Sequence, residues 1–250
     1  MIDLTEVPLV SRWYRPGLAF FSLLLAGSLG LLLAVLLLPS HTFDGYGTVS
    51  NGLQLLTSIA CLIVCVSAYI FWSRDLLLIY AGFAFGGWTL ANTFWYAYTL
   101  IIGPTLMYPT VSEAGFLGVF LFLASGYLEV FPSSAWSLPR LGGFAICLII
   151  LLSVPVYLII QLGLTLSTGV TLLFFFFGGY LLLVSLSRQV YEERFLFAGT
   201  LMVIVAHLIY AVREAAYPDF WLFRIVGPLV VLSFCLLEIG LLQRIWEGRI

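Results

Sequence analysis

With 62% hydrophobic and only 9% charged side chains, this chain of 250 residues has no room for a soluble catalytic domain. Its formal net charge of −2 and mean hydropathy of +1.13 give no basic face for nucleic acid. The ten basic residues include no lysine, which excludes a retinal Schiff base, and two histidines, His41 and His207, are too few for a His-rich metal centre.

Eight apolar stretches follow one another along the chain: Pro16 to Leu38, Leu53 to Trp72, Leu76 to Leu100, Ser112 to Val130, Leu141 to Gln161, Thr165 to Leu186, Phe195 to Ala215 and Trp221 to Leu242. Each has about the 20 residues that a helix rising 1.5 Å per residue needs to cross a roughly 30 Å hydrocarbon core. The sequence therefore predicts an all-α, polytopic membrane protein. It reads as a single integral membrane domain over 1–250, with tails at 1–15 and 243–250. The first stretch is too long for a signal-peptide core, and no small-residue cleavage pattern follows Pro39, so it is expected to be a retained helix.

The arginines alternate between connections. Arg12, Arg15, Arg74, Arg140, Arg188, Arg194, Arg244 and Arg249 fall on one side of the predicted bilayer, and Arg213 and Arg224 on the other. Short cytoplasmic loops retain positive charge, so this partition predicts a cell-membrane protein with both termini cytoplasmic. The four cysteines, Cys61, Cys65, Cys147 and Cys235, all lie within spans and define no disulfide framework. Cys61 and Cys65 share a helix face at i, i+4, which reads as small-residue packing rather than half of a metal site. No phosphate loop, nucleophile elbow or paired-aspartate motif is present. The sequence predicts no enzyme, no metal and no cofactor.

Polar residues within spans are costly in hydrocarbon and mark function or helix packing. In the third stretch, Trp88, Asn92, Trp95 and Thr99 follow one helical face, with Tyr96 beside them. His207, Tyr210 and Glu214 follow a face of the seventh, with Arg213 adjacent. Ser112 and Glu113 open the fourth, and Arg224 lies near the start of the eighth. Two readings fit. One is an outward-facing ligand pocket formed by Trp88, Asn92, Trp95, Tyr96, Glu113, His207, Tyr210 and Arg213. The other is an interfacial aromatic belt plus structural hydrogen bonding. Asn92 and His207 lie deepest, and their matching Ala-Asn and Ala-His contexts predict that they approach each other or share one buried polar site in the outer half. Gly82 and Gly86, with Gly178 and Gly179, predict close helix packing, and Pro155 and Pro228 predict kinks in helices five and eight.

Tyr108-Pro109 and Tyr217-Pro218 are each followed 20 residues later by a Leu-Glu pair, and Gly118 and Gly227 keep the same offset. This spacing is compatible with an internal parallel four-plus-four repeat. It predicts that the intramembrane carboxylates Glu129 and Glu238 occupy equivalent places at the cytoplasmic boundary, near headgroups or an arginine such as Arg74 or Arg140. A proton or cation relay at a buried Glu238 is the alternative.

The passage from Trp88 through Asn92, Trp95 and Tyr96, across Gly103-Pro104 to Tyr108-Pro109-Thr110-Val111-Ser112-Glu113, resembles the multi-helix membrane input modules found ahead of bacterial and archaeal diguanylate cyclases and histidine kinases. Those modules carry Ala-Asp where this chain has Ser112-Glu113. The resemblance implies ligand sensing or signal transmission, with output delivered by a cytoplasmic domain. Only Gln243 to Ile250 follow the last stretch, so action through a signalling partner in the membrane or cytoplasm is expected, or the chain is a membrane fragment. Three classes remain at this stage: a receptor-like or accessory module binding a small molecule, lipid or partner helix, a small transporter or lipid-handling protein, and a structural subunit of a membrane complex.

Overall fold

The computed structural model describes residues 7–37, 46–101, 110–216 and 224–247. Among the described residues there are eight long α-helices: α1 (Val7–Leu37), α2 (Tyr46–Phe71), α3 (Leu76–Ile101), α4 (Ser112–Val130), α5 (Leu138–Leu162), α6 (Leu166–Ser187), α7 (Arg194–Ala216) and α8 (Val226–Trp246). All eight are long and apolar enough to cross a membrane, so the chain is an all-α polytopic membrane protein. Exposed leucines, isoleucines and phenylalanines, such as Leu23, Ile63, Phe83, Leu90 and Ile149, cover its outer surface.

Six helices close a ring in which α2 packs on α3, α3 on α4, α4 on α6, α6 on α7, α7 on α8, and α8 back on α2. The neighbour order of α2-α3-α4 is thus repeated by α6-α7-α8. The outer helices break this order, because α1 lies against α8 whereas α5 lies against α6. Covered by α1, α2 and α7, α8 has 83% of its span buried, against 11% for α1.

In lipid there is little hydrophobic drive between helices, so close backbone approach at small residues supplies the packing. A side chain at Gly115 would meet the Gly87 carbonyl oxygen at 2.5 Å and Ala91 Cβ at 2.7 Å, which joins α4 tightly to α3. One at Gly240 would meet the Leu196 backbone nitrogen at 2.8 Å, and one at Gly199 the Leu237 nitrogen at 2.8 Å, which does the same for α7 and α8. Gly82 and Gly86 face Cys65 and Leu62 of α2 at ordinary contact distances of 3.7 Å.

Helix α1 begins at Val7, ahead of its apolar span from Arg15, and carries Pro16 inside it. At the other terminus, α8 continues through Gln243 to Trp246. Pro228 lies in the first turn of α8, where its missing N–H has no intrahelical partner to lose, so it imposes no kink. Pro155 does lie inside α5. Between α5 and α6 the chain reverses at Gly163, whose φ of 74° suits a residue without a side chain, and Thr165 then caps α6 in a capping box with Thr168.

At the end carrying Arg140, Arg188 and Arg244, two connections are stitched together. Ser133 and Arg188 form an isolated antiparallel bridge, Ser134 N donates to Ser187 O at 2.8 Å, and Arg188 Nη1 donates to Phe131 O at 3.1 Å. Arg244 pairs with Glu193 at 3.0 Å and lies over the Phe131 ring, while Arg140 donates to Ser134 and Ser137 and stacks on Tyr191. This Arg-rich end is therefore built from inter-connection contacts.

Candidate functional site

The centre of the ring is aromatic. Trp88 of α3, Phe116 and Phe120 of α4, Phe174 of α6, His207 and Tyr210 of α7 and Phe234 of α8 pack around one another, in edge-to-face and tilted pairs. Trp88 and His207 are the pair at its middle, with ring centroids 4.9 Å apart and planes at 75°. Phe116 lies 4.3 Å from Trp88, and Phe120 lies 4.9 Å from His207. Their spacing explains the geometry: Phe116 and Phe120 are one turn apart on α4, so both rings reach the same side of His207.

His207 is 1% exposed, and its Nδ1 lies 2.7 Å from the Val203 carbonyl oxygen. That carbonyl can only accept, so Nδ1 carries the hydrogen and Nε2 presents a lone pair. Nε2 has no hydrogen-bond partner among the described residues, and neither has the buried indole Nε1–H of Trp88. A bare acceptor and a bare donor thus sit on two touching rings in a low-dielectric interior, where each unsatisfied group costs about 1–3 kcal/mol.

Above this pair, towards the end opposite the Arg-rich one, Glu113 is 3% exposed. Its Oε1 accepts from the Tyr210 hydroxyl at 2.7 Å, and its Oε2 accepts from Thr110 Oγ1 at 2.7 Å and from the Thr110 backbone N–H. Tyr210 also packs against Phe116 and Phe174. The carboxylate and phenol therefore form a lid over the aromatic box, joining the start of α4 to α7.

Of the predicted pocket residues, the structure brings together Trp88, Glu113, His207 and Tyr210. It assigns Asn92 elsewhere. Asn92 is buried, and its Nδ2 donates to the Asn51 carbonyl of α2 at 3.3 Å. Asn51 also receives Gln54 Nε2, which reaches Ser50, and Ser50 lies against Gly227 of α8. Asn92 and His207 are both buried and their hydrogen bonds are separate, Asn92 to Asn51 and His207 to Val203, so each of these bonds is to protein. Trp95, Tyr96 and Arg213 are half-buried. The side chains of Thr99 and Glu214, the two Tyr-Pro pairs, Gly103-Pro104 and His41 lie outside the described residues.

The carboxylates also differ from expectation. Glu129 is the penultimate residue of α4 and is exposed, whereas Glu238 is fully buried about 12 Å before the end of α8. Equal intervals after the Tyr-Pro pairs do not give equal depths, because α4 starts at Ser112 and α8 only at Val226. Among the described residues, Glu238 meets no arginine. Its Oε2 accepts from Cys65 Sγ at 3.5 Å and its Oε1 has no partner among the described residues, while Cys61 Sγ reaches the Phe234 carbonyl at 3.8 Å. No group of three or more His, Cys, Asp or Glu residues there could hold a metal ion, among the described residues.

No protein-family model, curated protein or solved structure matches this chain.

The residues that sequence reasoning passed over are Phe116, Phe120, Phe174 and Phe234, which build the box, and Thr110 and Asn51, which serve Glu113 and Asn92. The i, i+4 pair Phe116 and Phe120, one turn after an intramembrane-facing glutamate, was the available signal for the first two. Nothing local marks Asn51, since it acts through its backbone carbonyl.

Proposed function

We propose that this protein is a receptor-like or accessory membrane module that binds a small molecule in the aromatic box, entering from the end opposite the Arg-rich one. The observation that carries the reading is the pair of orphaned polar atoms, Trp88 Nε1–H and His207 Nε2, on two rings in contact in an otherwise apolar interior. A group that accepts from the indole and donates to the imidazole satisfies both. The Glu113–Tyr210 lid gives binding a mechanical consequence. A ligand passing it separates α4 from α7, and α7 packs on α8, whose Arg244 joins the connection at the Arg-rich end through Glu193. In this reading the arginine partition puts both termini and that end in the cytoplasm, so the ligand comes from outside and a partner reads the displacement inside. The resemblance of the Trp88 to Glu113 passage to sensor modules is in keeping with this.

Native mass spectrometry of protein carried in polymer nanodiscs from its own membranes tests the proposal. A bound small molecule present in the unaltered protein and absent from W88F and H207F variants is the expected result. Identical spectra for all three overturn it.

A second reading, a small transporter or lipid-handling protein, is favoured by one observation, the fully buried Glu238 with no cationic partner among the described residues.

A further inference from the structure

A groove of about 550 Å³ runs along the lipid-facing seam of α2 and α3, within the roughly 300–1,000 Å³ of ligand sites. Leu62 and Tyr69 of α2 and Gly82, Gly86 and Leu90 of α3 line it. The glycines make the depression, since neither supplies a side chain to fill the seam. From Leu78 to Leu90 the groove extends about 18 Å along α3, and Leu90 lies near the middle of that helix. It therefore has about the depth of one leaflet's hydrocarbon, half of a roughly 30 Å core. Such a space takes an alkyl chain, and its apolar walls do not choose between headgroups.

The choice lies at one end. The turn between Phe71 and Leu76 joins the two walls of the groove, and Ile70 and Leu78 are the lining residues next to it. Arg74 in this turn is exposed and lies over the Tyr69 ring, its Cζ 5.3 Å from the ring centroid. Since Tyr69 lines the groove, a cation is stacked on a wall residue at the headgroup level of the seam. Arg74 pairs with no carboxylate among the described residues. The neighbouring Asp75 is engaged elsewhere, its Oδ1 accepting from the Leu77 N–H at 2.7 Å where α3 starts. A guanidinium stacked by its face keeps its N–H edge for a bidentate anion such as a phosphate.

We propose that the α2/α3 groove is a binding site for an anionic phospholipid, one acyl chain lying along Gly82 and Gly86 towards Leu90 and the phosphate meeting Arg74. The groove starts at the charged turn and ends near the middle of the helix, the direction in which a lipid's chain runs from its headgroup. Charge complementarity selects the headgroup. A zwitterionic lipid fills the groove equally, but its ammonium offsets what the phosphate gains beside a cation. Free phosphate uses Arg74 and leaves the groove empty. The site is separate from the aromatic box, and neither depends on the other.

The test uses the full chain in phosphatidylcholine nanodiscs doped with one of two photoreactive probes, a phosphatidylglycerol or a phosphatidylcholine, each carrying the same diazirine in one acyl chain. Labelled peptides are mapped by mass spectrometry. The anionic probe is expected to label segments 62–70 and 78–90 about fivefold more than the zwitterionic one, the gain that one arginine near a headgroup gives. R74K should keep this preference and R74Q should lose it, and because Arg74 is exposed neither change disturbs the packed helices. G86L, checked for native helicity, fills the groove and should lose the labelling of both segments by either probe. Where G86L does not fold, the Arg74 variants decide alone. Equal labelling by the two probes in the unaltered protein, a preference that survives R74Q, or undiminished labelling in folded G86L overturns the proposal.

Discussion

The Tyr210 hydroxyl donates to Glu113 Oε1 at 2.7 Å, and this bond fastens the start of α4 to α7 directly above the Trp88–His207 pair. Removing it leaves a buried acceptor short of one donor while Thr110 still holds the other carboxyl oxygen. Tyr210→Phe should therefore lower stability by about 1–3 kcal/mol. Thermal unfolding followed by circular dichroism in nanodiscs measures it, and a change within about 0.5 kcal/mol would show that the lid is not a stabilising contact.

His207→Phe discriminates between a ligand site and a structural histidine. Without ligand, an apolar ring of similar size removes an unsatisfied buried nitrogen, so stability should stay within about 0.5 kcal/mol or rise. Protein taken from its native membrane should instead lose stability on this change, because the ligand's contribution goes with the nitrogen. Equal effects in ligand-stripped and native-membrane protein would argue that His207 has no ligand to hold.

The close approach of α3 and α4 rests on Gly115. Gly115→Ala places a methyl group 2.5 Å from the Gly87 carbonyl oxygen, which is backbone and cannot turn aside. A loss of about 1–3 kcal/mol is expected. Gly142→Ala in α5, where a Cβ meets nothing within 4 Å, serves as control and should not destabilise. Equal behaviour of the two variants in a denaturation series would refute the tight α3/α4 seam.

Orientation has its own test. Cysteines placed at Gly45, between α1 and α2, and at Ser133, between α4 and α5, should react with a membrane-impermeant maleimide from opposite faces, Gly45 from outside. Cys61, Cys65 and Cys235 are buried, and the exposed Cys147 of α5 is first replaced by Ser. Reaction of both sites from the same face would contradict the eight-span topology.

How much of this was legible beforehand depended on the range of the interaction. All eight spans could be read because hydropathy over 20 residues is a local property that the bilayer enforces. Their ends were less certain: Arg12, Trp13 and Tyr14 look like a polar flank, yet the helix runs through them from Val7. Within the candidate site, Trp88, Glu113, His207 and Tyr210 stood out as polar or amphipathic groups in the wrong solvent, and the fold collects them. Asn92 stood out equally, but its partner is a main-chain carbonyl 41 residues away, which no side-chain pattern reveals. Glu238 and Cys65 are 173 residues apart in the chain, and counting from a Tyr-Pro pair placed Glu238 at the membrane boundary rather than inside. Counting residues gives depth only when the starting point of the helix is known.

A map of the surroundings of Trp88 and His207 tests the central claim most directly. In a cryo-electron map of protein purified from its own membranes, the account predicts a non-protein molecule larger than water within about 3 Å of both Trp88 Nε1 and His207 Nε2. A single water there, or two nitrogens packed against protein alone, would contradict it.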